Sequence, residues 1–237
     1  MPRPTANTVT YANHSPIAGS FIVHRVTSVE VLKHVARPIR EVIRRSYANS
    51  YEEPNGPLPK GTVDSRYKVL HHTQFAERAT DHFRRHHSQY WVAQSEGSGS
   101  KSRMLGFAKT TPVAGDFYLN DVVVDPGLGA VSSQRRGYGT MLVHAALKYG
   151  GHGDRPLNLE AFELNEGEGG PNQMYRNMGL VRMGEADPFT FPNGSQLDMC
   201  LYSTPEGMTV NGVVQVLEAR YPHLRQSFPS QVCHLTA

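Results

Sequence analysis

Residues 122–141, VVVDPGLGAVSSQRRGYGTM, decide how the chain is read. A β-branched run enters a loop at Asp125-Pro126-Gly127, and the loop delivers the chain to a helical pattern that starts near Gly137. Met141, Leu142, Ala145, Ala146 and Tyr149 then recur at the spacing of one buried helix face. Gln134, Arg135, Arg136, Gly137, Tyr138, Gly139 and Thr140 therefore occupy a helix start. Free N–H groups there, with the helix dipole behind them, attract phosphate. Gly137 and Gly139 carry no Cβ, so backbone can approach a pyrophosphate closely, and Arg135 and Arg136 add positive charge.

Two other phosphate loops are weaker fits. Gly127-Leu128-Gly129-Ala130-Val131-Ser132 lacks the third glycine of a dinucleotide fingerprint. Gly150 and Gly151 stand about 20 residues on, where that fingerprint needs an acidic ribose partner. A dinucleotide-dependent oxidoreductase remains a rival reading on Gly127 and Gly129, and NADPH binding would favour it. No Gly-Lys-Ser/Thr sequence supports a P-loop nucleotidase.

Working outward, residues 21–26 (FIVHRV) alternate as a strand. Val31, Leu32, Val35, Ile39, Val42, Ile43 and Tyr47 follow helical spacing, with Pro38 expected to kink or restart the helix. Residues 51–61 (YEEPNGPLPKG) read as turn material. Asp64 is a candidate cap for a second helix, marked by Tyr67, His71, Phe75, Ala79 and Phe83. Strands follow at 90–94, 104–109 and 117–124, then the helix from 137 and a strand at 157–164. A short helix at 172–178 stops at Gly179, and late strands lie near 189–191 and 196–202. Val210, Val213, Val214, Leu217 and Tyr221 form an extra C-terminal helix, whose apolar face packs either on the domain or on a second subunit of a homodimer. The chain after Pro222 and residues 1–20 are expected to be loose, the latter a flexible N-terminal arm before a single domain at 21–237. This order is mixed α/β (α+β), without the regular alternation of a doubly wound fold.

Composition narrows the class. The 237 residues carry 38% hydrophobic and 19% charged side chains, enough for a buried core. A net charge of +3 is too weak to argue for nucleic acid. Two cysteines cannot build a disulfide framework or a cysteine zinc site. With no apolar leader in the first twenty residues and no apolar run near the ~18 residues a span needs, a cytoplasmic protein outside the membrane is expected. His82 and His86 share a helix face, but Phe83, Arg84 and Arg85 between them leave no HExxH glutamate, so no metal site is expected.

The segment QRRGYG after a strand matches the Q/R-x-x-G-x-G/A pyrophosphate motif of the GNAT superfamily of acyl-CoA N-acyltransferases. Tyr175-Arg176-Asn177-Met178-Gly179-Leu180 resembles that family's Y-x-x-x-G-[FL] segment one strand later. About twenty-five residues carry the resemblance, while the order of elements extends it to most of the chain. It implies a GNAT-like fold whose mixed sheet splays between the strands at 117–124 and 157–164. It further implies that acetyl-CoA is the co-substrate and a primary amine the acceptor. The backbone of Val122, Val123 and Val124 would hold the pantetheine arm, and Gln134, Arg135, Arg136, Gly137, Tyr138, Gly139 and Thr140 the pyrophosphate. Asn165 or Asn172 would contact pantetheine, and Tyr175 would lie near the sulfur and protonate the departing thiolate. The loop before the glycine motif is longer than the family's, Asn165 and Asn172 both miss the usual spacing to the tyrosine, and Leu180 stands where Phe is commoner.

An alkylammonium must lose a proton before it attacks a thioester, so a base is required. Asp121, Glu160 and Glu163 lie on the two strands that would splay, and Asp121 and Glu160 are the chosen candidates. Each either has work or a partner within its apolar run or is turned to solvent by strand alternation. The acceptor is expected to be a small-molecule amine. A protein or peptide amine, or a non-catalytic acyl-CoA-binding module, are the alternatives.

Overall fold

The computed structural model describes residues 7–11, 21–69, 71–95, 104–126, 137–166 and 171–230. The strands are β1 (Thr8–Tyr11), β2 (Phe21–Arg25), β3 (Gln89–Ser95), β4 (Met104–Val113), β5 (Asp116–Val124), β6 (Leu157–Phe162), β7 (Val181–Thr190), β8 (Gln196–Ser203) and β9 (Ser227–Ser230). The helices are α1 (Val29–Tyr51), α2 (Thr62–Val69), α3 (His72–Arg85), α4 (Tyr138–Tyr149), α5 (Pro171–Asn177) and α6 (Val210–Arg220). The described strands form one nine-stranded sheet in the order β7-β8-β6-β5-β4-β3-β2-β1-β9. Every neighbouring pair is antiparallel except β5 and β6, which run parallel.

Both faces of the sheet are covered, so its central strands read as apolar runs. In β3, Trp91 and Ala93 join the core beneath α4 and α6, while Tyr90 and Val92 join the core beneath α1, α2 and α3. Val210, Val213, Val214 and Leu217 of α6 are buried in the same core as α4. At roughly 1.5–3 kcal/mol for each fully buried aliphatic side chain, this docking accounts for the apolar face of the last helix within its own chain.

Several expectations change. Helix α1 does not restart at Pro38 but runs through it, and both the proline and His34, whose carbonyl loses its helical donor, are exposed. Asp64 lies in the first turn of α2 and is not its cap. That end is instead served by the buried carboxylate of Glu52, which accepts from Val63 N at 2.6 Å and Gly61 N at 3.0 Å. The early helical pattern is divided into α2 and α3. Strand β6 ends at Phe162, and residues Glu163–Glu166 form a 3-10 turn.

The two segments read as loose also carry structure. Within the expected arm, Thr8–Tyr11 forms β1, and within the expected tail Ser227–Ser230 forms β9, which pairs with β1. Residues 1–6, 12–20 and 231–237 lie outside the described residues. Strand β1 is held because Thr8, Val9 and Tyr11 are buried and because the Tyr11 hydroxyl reaches the fully buried His144 of α4 at 2.8 Å. The carboxylate of Glu218 can only accept, so His144 donates from Nε2 over 3.0 Å, and its Nδ1 faces the Tyr11 hydroxyl, whose one proton is shared with Met141 O at 3.1 Å. Burial pushes His144 down to about 4, so the ring is neutral at physiological pH and a single tautomer ties β1, α4 and α6 together.

Arg45 of α1 clamps Asp125, just past β5, through two bonds of 2.8 and 3.3 Å. Asp125 is fully buried and its N–H donates to Leu105 O at 2.7 Å, which fixes where β5 ends. Removing Arg45 takes this cation from a buried carboxylate, a change that costs several kcal/mol when both partners are buried. Arg45 is 41% exposed, so Arg45→Met should lower unfolding free energy by about 2–3 kcal/mol in chemical denaturation. Arg44→Met, which breaks pairs to Glu41 and Asp64 that are about a third to a half exposed, should cost less than about 1 kcal/mol. Equal losses for the two variants would contradict this assignment.

Candidate active site

Strand β5 is paired with β4 along its length, but with β6 only at Phe117↔Leu157 and Tyr118↔Asn158. From Leu119 to Val124 its β6-facing edge has no strand partner among the described residues, so the described sheet opens into a wedge. Buried backbone donors and acceptors need partners, which makes such an edge a place for an extended amide-bearing ligand to bind as an added strand.

A β-bulge sets the chemistry of this edge. Asn120 is the extra residue between the pairs Thr110↔Leu119 and Lys109↔Asp121. Phe117 and Leu119 face the α4 core, and strict alternation would put Asp121 and Val123 there too. Instead Val123 is buried in the α1 core, while Val122 and Val124 pack against the α4 core. The bulge thereby turns Asp121 to the side of α1, α2 and α3.

Asp121 is half-buried and makes no hydrogen bond or ion pair with a described residue. Desolvation raises its pKa above the ordinary carboxylate value, against the opposing charges of Lys109, Arg66 and His82. Glu160 lies on the exposed side of β6, outside the group of charges that act on Asp121. Glu163 forms an ion pair with Arg182.

Helix α4 begins at the mouth of the wedge. Gly137 is its N-cap in the left-handed region, φ 78°, and its carbonyl accepts from Met141 N at 2.9 Å. A side chain at Gly137 would meet no described atom within 4 Å, and it is the backbone angle that favours glycine there. Gly139 is the reverse case. Its backbone is ordinary, but a Cβ would sit 3.8 Å from Met174 Sδ and Val124 Cγ2 and 4.0 Å from Val122 Cγ1. The missing methyl leaves a space bounded by α4, β5 and α5. Tyr138 packs against the core, and Thr140 is half-buried in the same first turn. Gln134, Arg135 and Arg136 lie outside the described residues.

The other side of the wedge is carried by α5. Tyr175 is buried beside Tyr202, ring centroids 5.8 Å apart, and its hydroxyl makes no hydrogen bond with a described residue. Burial pushes its pKa well up, and the charges of Tyr51 and Asp121 add to the shift, so Tyr175 keeps its proton. Asn172 is fully buried and donates from Nδ2 to Phe162 O at 3.1 Å, whereas its Oδ1 has no partner among the described residues. Asn165 falls in the 3-10 turn after β6, and its side chain lies outside the described part.

An aromatic wall went unread in the sequence. Phe162, the last residue of β6, has Tyr51 at 4.8 Å, Tyr47 at 5.7 Å and Phe189 at 5.8 Å between ring centroids. Tyr47 and Tyr51 are four residues apart on one helix, a signal hidden by reading Tyr51 as the start of a turn. Cys200 is buried with Sγ directed at Ala161 O, 3.4 Å away, and is a strand thiol. The His82 and His86 rings lie 5.1 Å apart, and among the described residues no group of three or more His, Cys, Asp or Glu could hold a metal ion. No helix among them is long and apolar enough to cross a membrane.

Comparison with known proteins bears on this wedge. The model of the acetyltransferase (GNAT) family matches residues 48–168, just over half of the chain, from the end of α1 to beyond β6. No curated protein matches by sequence. Among solved structures, a candidate acetyltransferase from Acinetobacter baylyi superposes with a TM-score of 0.53 at 15% identity, over 80% of this chain and 97% of its own. The PaiA N-acetyltransferase of Thermoplasma acidophilum, solved with coenzyme A, gives a TM-score of 0.46 at 16% identity over 77% and 98%. The aminoglycoside 6'-N-acetyltransferase of Enterococcus faecium gives 0.46 at 15% over 79% and 96%. The Acinetobacter structure supports the fold, and the family match establishes the lineage. With a splayed mixed sheet and a glycine-capped helix at its opening, this chain is an N-acetyltransferase belonging to the GNAT acetyltransferase family.

Proposed function

We propose that the protein transfers an acetyl group from acetyl-CoA to a primary amine of a small molecule by direct attack within the β5–β6 wedge. The observation that carries the reading is the pair Asp121 and Tyr175, one raised carboxylate and one protonated phenol, neither hydrogen-bonded to a described residue and with the Asp121 charge reaching Tyr175. Acetyl-CoA supplies the activated thioester. The free edge of β5 at Val122, Val123 and Val124 suits a pantetheine arm, and the orphaned Oδ1 of Asn172 would accept an N–H from it. The Gly139 space and the first turn of α4 suit the pyrophosphate, with Gln134, Arg135, Arg136, Gly137, Tyr138 and Thr140 completing that loop.

Asp121 takes the proton from the incoming ammonium. A raised pKa makes it a better base than an ordinary surface carboxylate. A β5 amide on the free edge steadies the thioester oxygen as negative charge develops. Tyr175 returns a proton to the departing sulfur. Glu160, exposed on β6, is the second candidate for the base. Every described strand shares one sheet, which supports a single domain that includes β1. Its sparse cysteine content suits the cytoplasm.

Release of CoA thiol during an amine screen tests the reading. Tyr175→Phe should lower turnover by roughly 10²-fold or more while acetyl-CoA affinity changes less than about twofold. Unaltered turnover would remove Tyr175 as the acid. Asp121→Asn should lower activity at neutral pH by a similar factor and shift the remaining activity to higher pH, where the acceptor loses its proton unaided. Its effect on stability has the opposite sign. Because desolvation holds the folded pKa above the unfolded one, the native state binds the extra proton, and stability falls as pH rises through that window. Above the folded pKa the full penalty is present, so Asp121→Asn should raise Tm there. A lowered Tm with retained activity would make Asp121 a structural residue.

A further inference from the structure

Resting on the transferase reading above, we infer that the acceptor is an amine that also bears an acid group, held by Arg66 at the mouth of the wedge. The charges around Asp121 do not balance. Lys109 stands directly across the ladder from Asp121 and answers its charge. Arg66 and His82 also act on Asp121 through space, so Lys109 is not the sole positive group beside the reacting position. Glu160 is exposed on β6 and outside that group, and Glu163 is paired with Arg182.

The neighbouring arginines are already engaged. Arg44 is paired with Glu41 and Asp64, and Arg40 with Glu41 and the Tyr67 carbonyl. Arg66 is half-buried and makes no hydrogen bond or ion pair with a described residue. Its guanidinium lies 4.4 Å over the ring of Phe189 and 5.9 Å from that of Tyr67. Stacking occupies the face of a guanidinium and leaves its in-plane N–H donors available, the arrangement that presents a fork to a carboxylate or phosphate. Phe189 in turn touches Phe162, where β6 ends at the wedge, so the fork is fixed to the wall of the acceptor side.

A bifunctional acceptor satisfies both ends of this site. Its ammonium is drawn to Asp121, its acid group to Arg66, and its carbon skeleton runs along the aromatic wall. The same excess positive charge disfavours polycationic amines, because every further ammonium faces Arg66 or Lys109.

The experiment measures kcat/KM by CoA release for matched amines with and without the acid group: phenylalanine against phenethylamine and 4-aminobutyrate against butylamine. O-phosphoethanolamine serves as the phosphate arm and spermine as the polycation. In the wild-type protein the preferred acid-bearing member should exceed its decarboxylated partner by roughly 10- to 100-fold, the range for one charge-assisted contact. The carboxylate and phosphate arms then decide which acid is read. In Arg66→Gln this preference should collapse towards one, and Arg66→Lys should retain part of it. Wild-type preference for phenethylamine, butylamine or spermine, or a preference undiminished in Arg66→Gln, would overturn the inference while leaving the transferase reading intact. Absence of CoA release with every amine despite acetyl-CoA binding would overturn both.

Discussion

A strand edge inside a sheet cannot remain both buried and unpaired. Strand β5 has an edge that no described strand pairs beyond Tyr118, because β6 leaves it after two paired residues and diverges. Each buried backbone group left without a partner costs about 1–3 kcal/mol, so the opening is worth keeping only if something else pairs there. The rest of the molecule holds this gap open. Pairing of β6 with β8 and of β5 with β4 anchors the two strands on their outer sides. Helices α4 and α5 meet near the inner edge of β5, where Gly139 approaches Val124 and Met174. The Arg45–Asp125 clamp fixes the point at which β5 stops.

Chemistry follows from a one-residue irregularity on that edge. The bulge at Asn120 reverses the alternation of β5, so that Asp121 leaves the α4 core and faces the aromatic residues of α1 and α2. The bulge is itself held, since Asn120 Oδ1 accepts from the Thr111 hydroxyl at 2.5 Å, and Thr111 is bonded in turn to Ser88. Burial then raises Asp121 and Tyr175 together. The carboxylate gains basicity while remaining able to ionise, and the phenol is confined to its protonated form. One environment thus separates the two groups into a base and an acid.

Legibility in the sequence tracked how strongly each element is buried on one face. The helix after Gly137 was readable because five apolar residues mark its buried side and a glycine stands at its cap. The wedge was readable only through the resemblance carried by Gln134 to Thr140 and Tyr175, since divergence of two strands leaves no local pattern. Strand β7 was found only at its end, near Phe189. Most of it is exposed at the sheet edge and interrupted by two register shifts, so it shows no apolar alternation. Strands β1 and β9 were read as loose because each has four residues and depends on partners far away in the chain. Arg66 and the Arg45–Asp125 pair share that difficulty, because their roles come from contacts 80 or more residues distant for the clamp and from Phe189 for the fork.

Hydrogen–deuterium exchange with and without acetyl-CoA tests the central claim most directly. Binding should slow exchange at the β5 amides from Leu119 to Val124 and in the first turn of α4 at Tyr138 to Thr140, with little change in β1, β2 and β9. Unchanged exchange in β5 and α4 at saturating acetyl-CoA, or protection confined to the other end of the sheet, would contradict the wedge as the acetyl-CoA site.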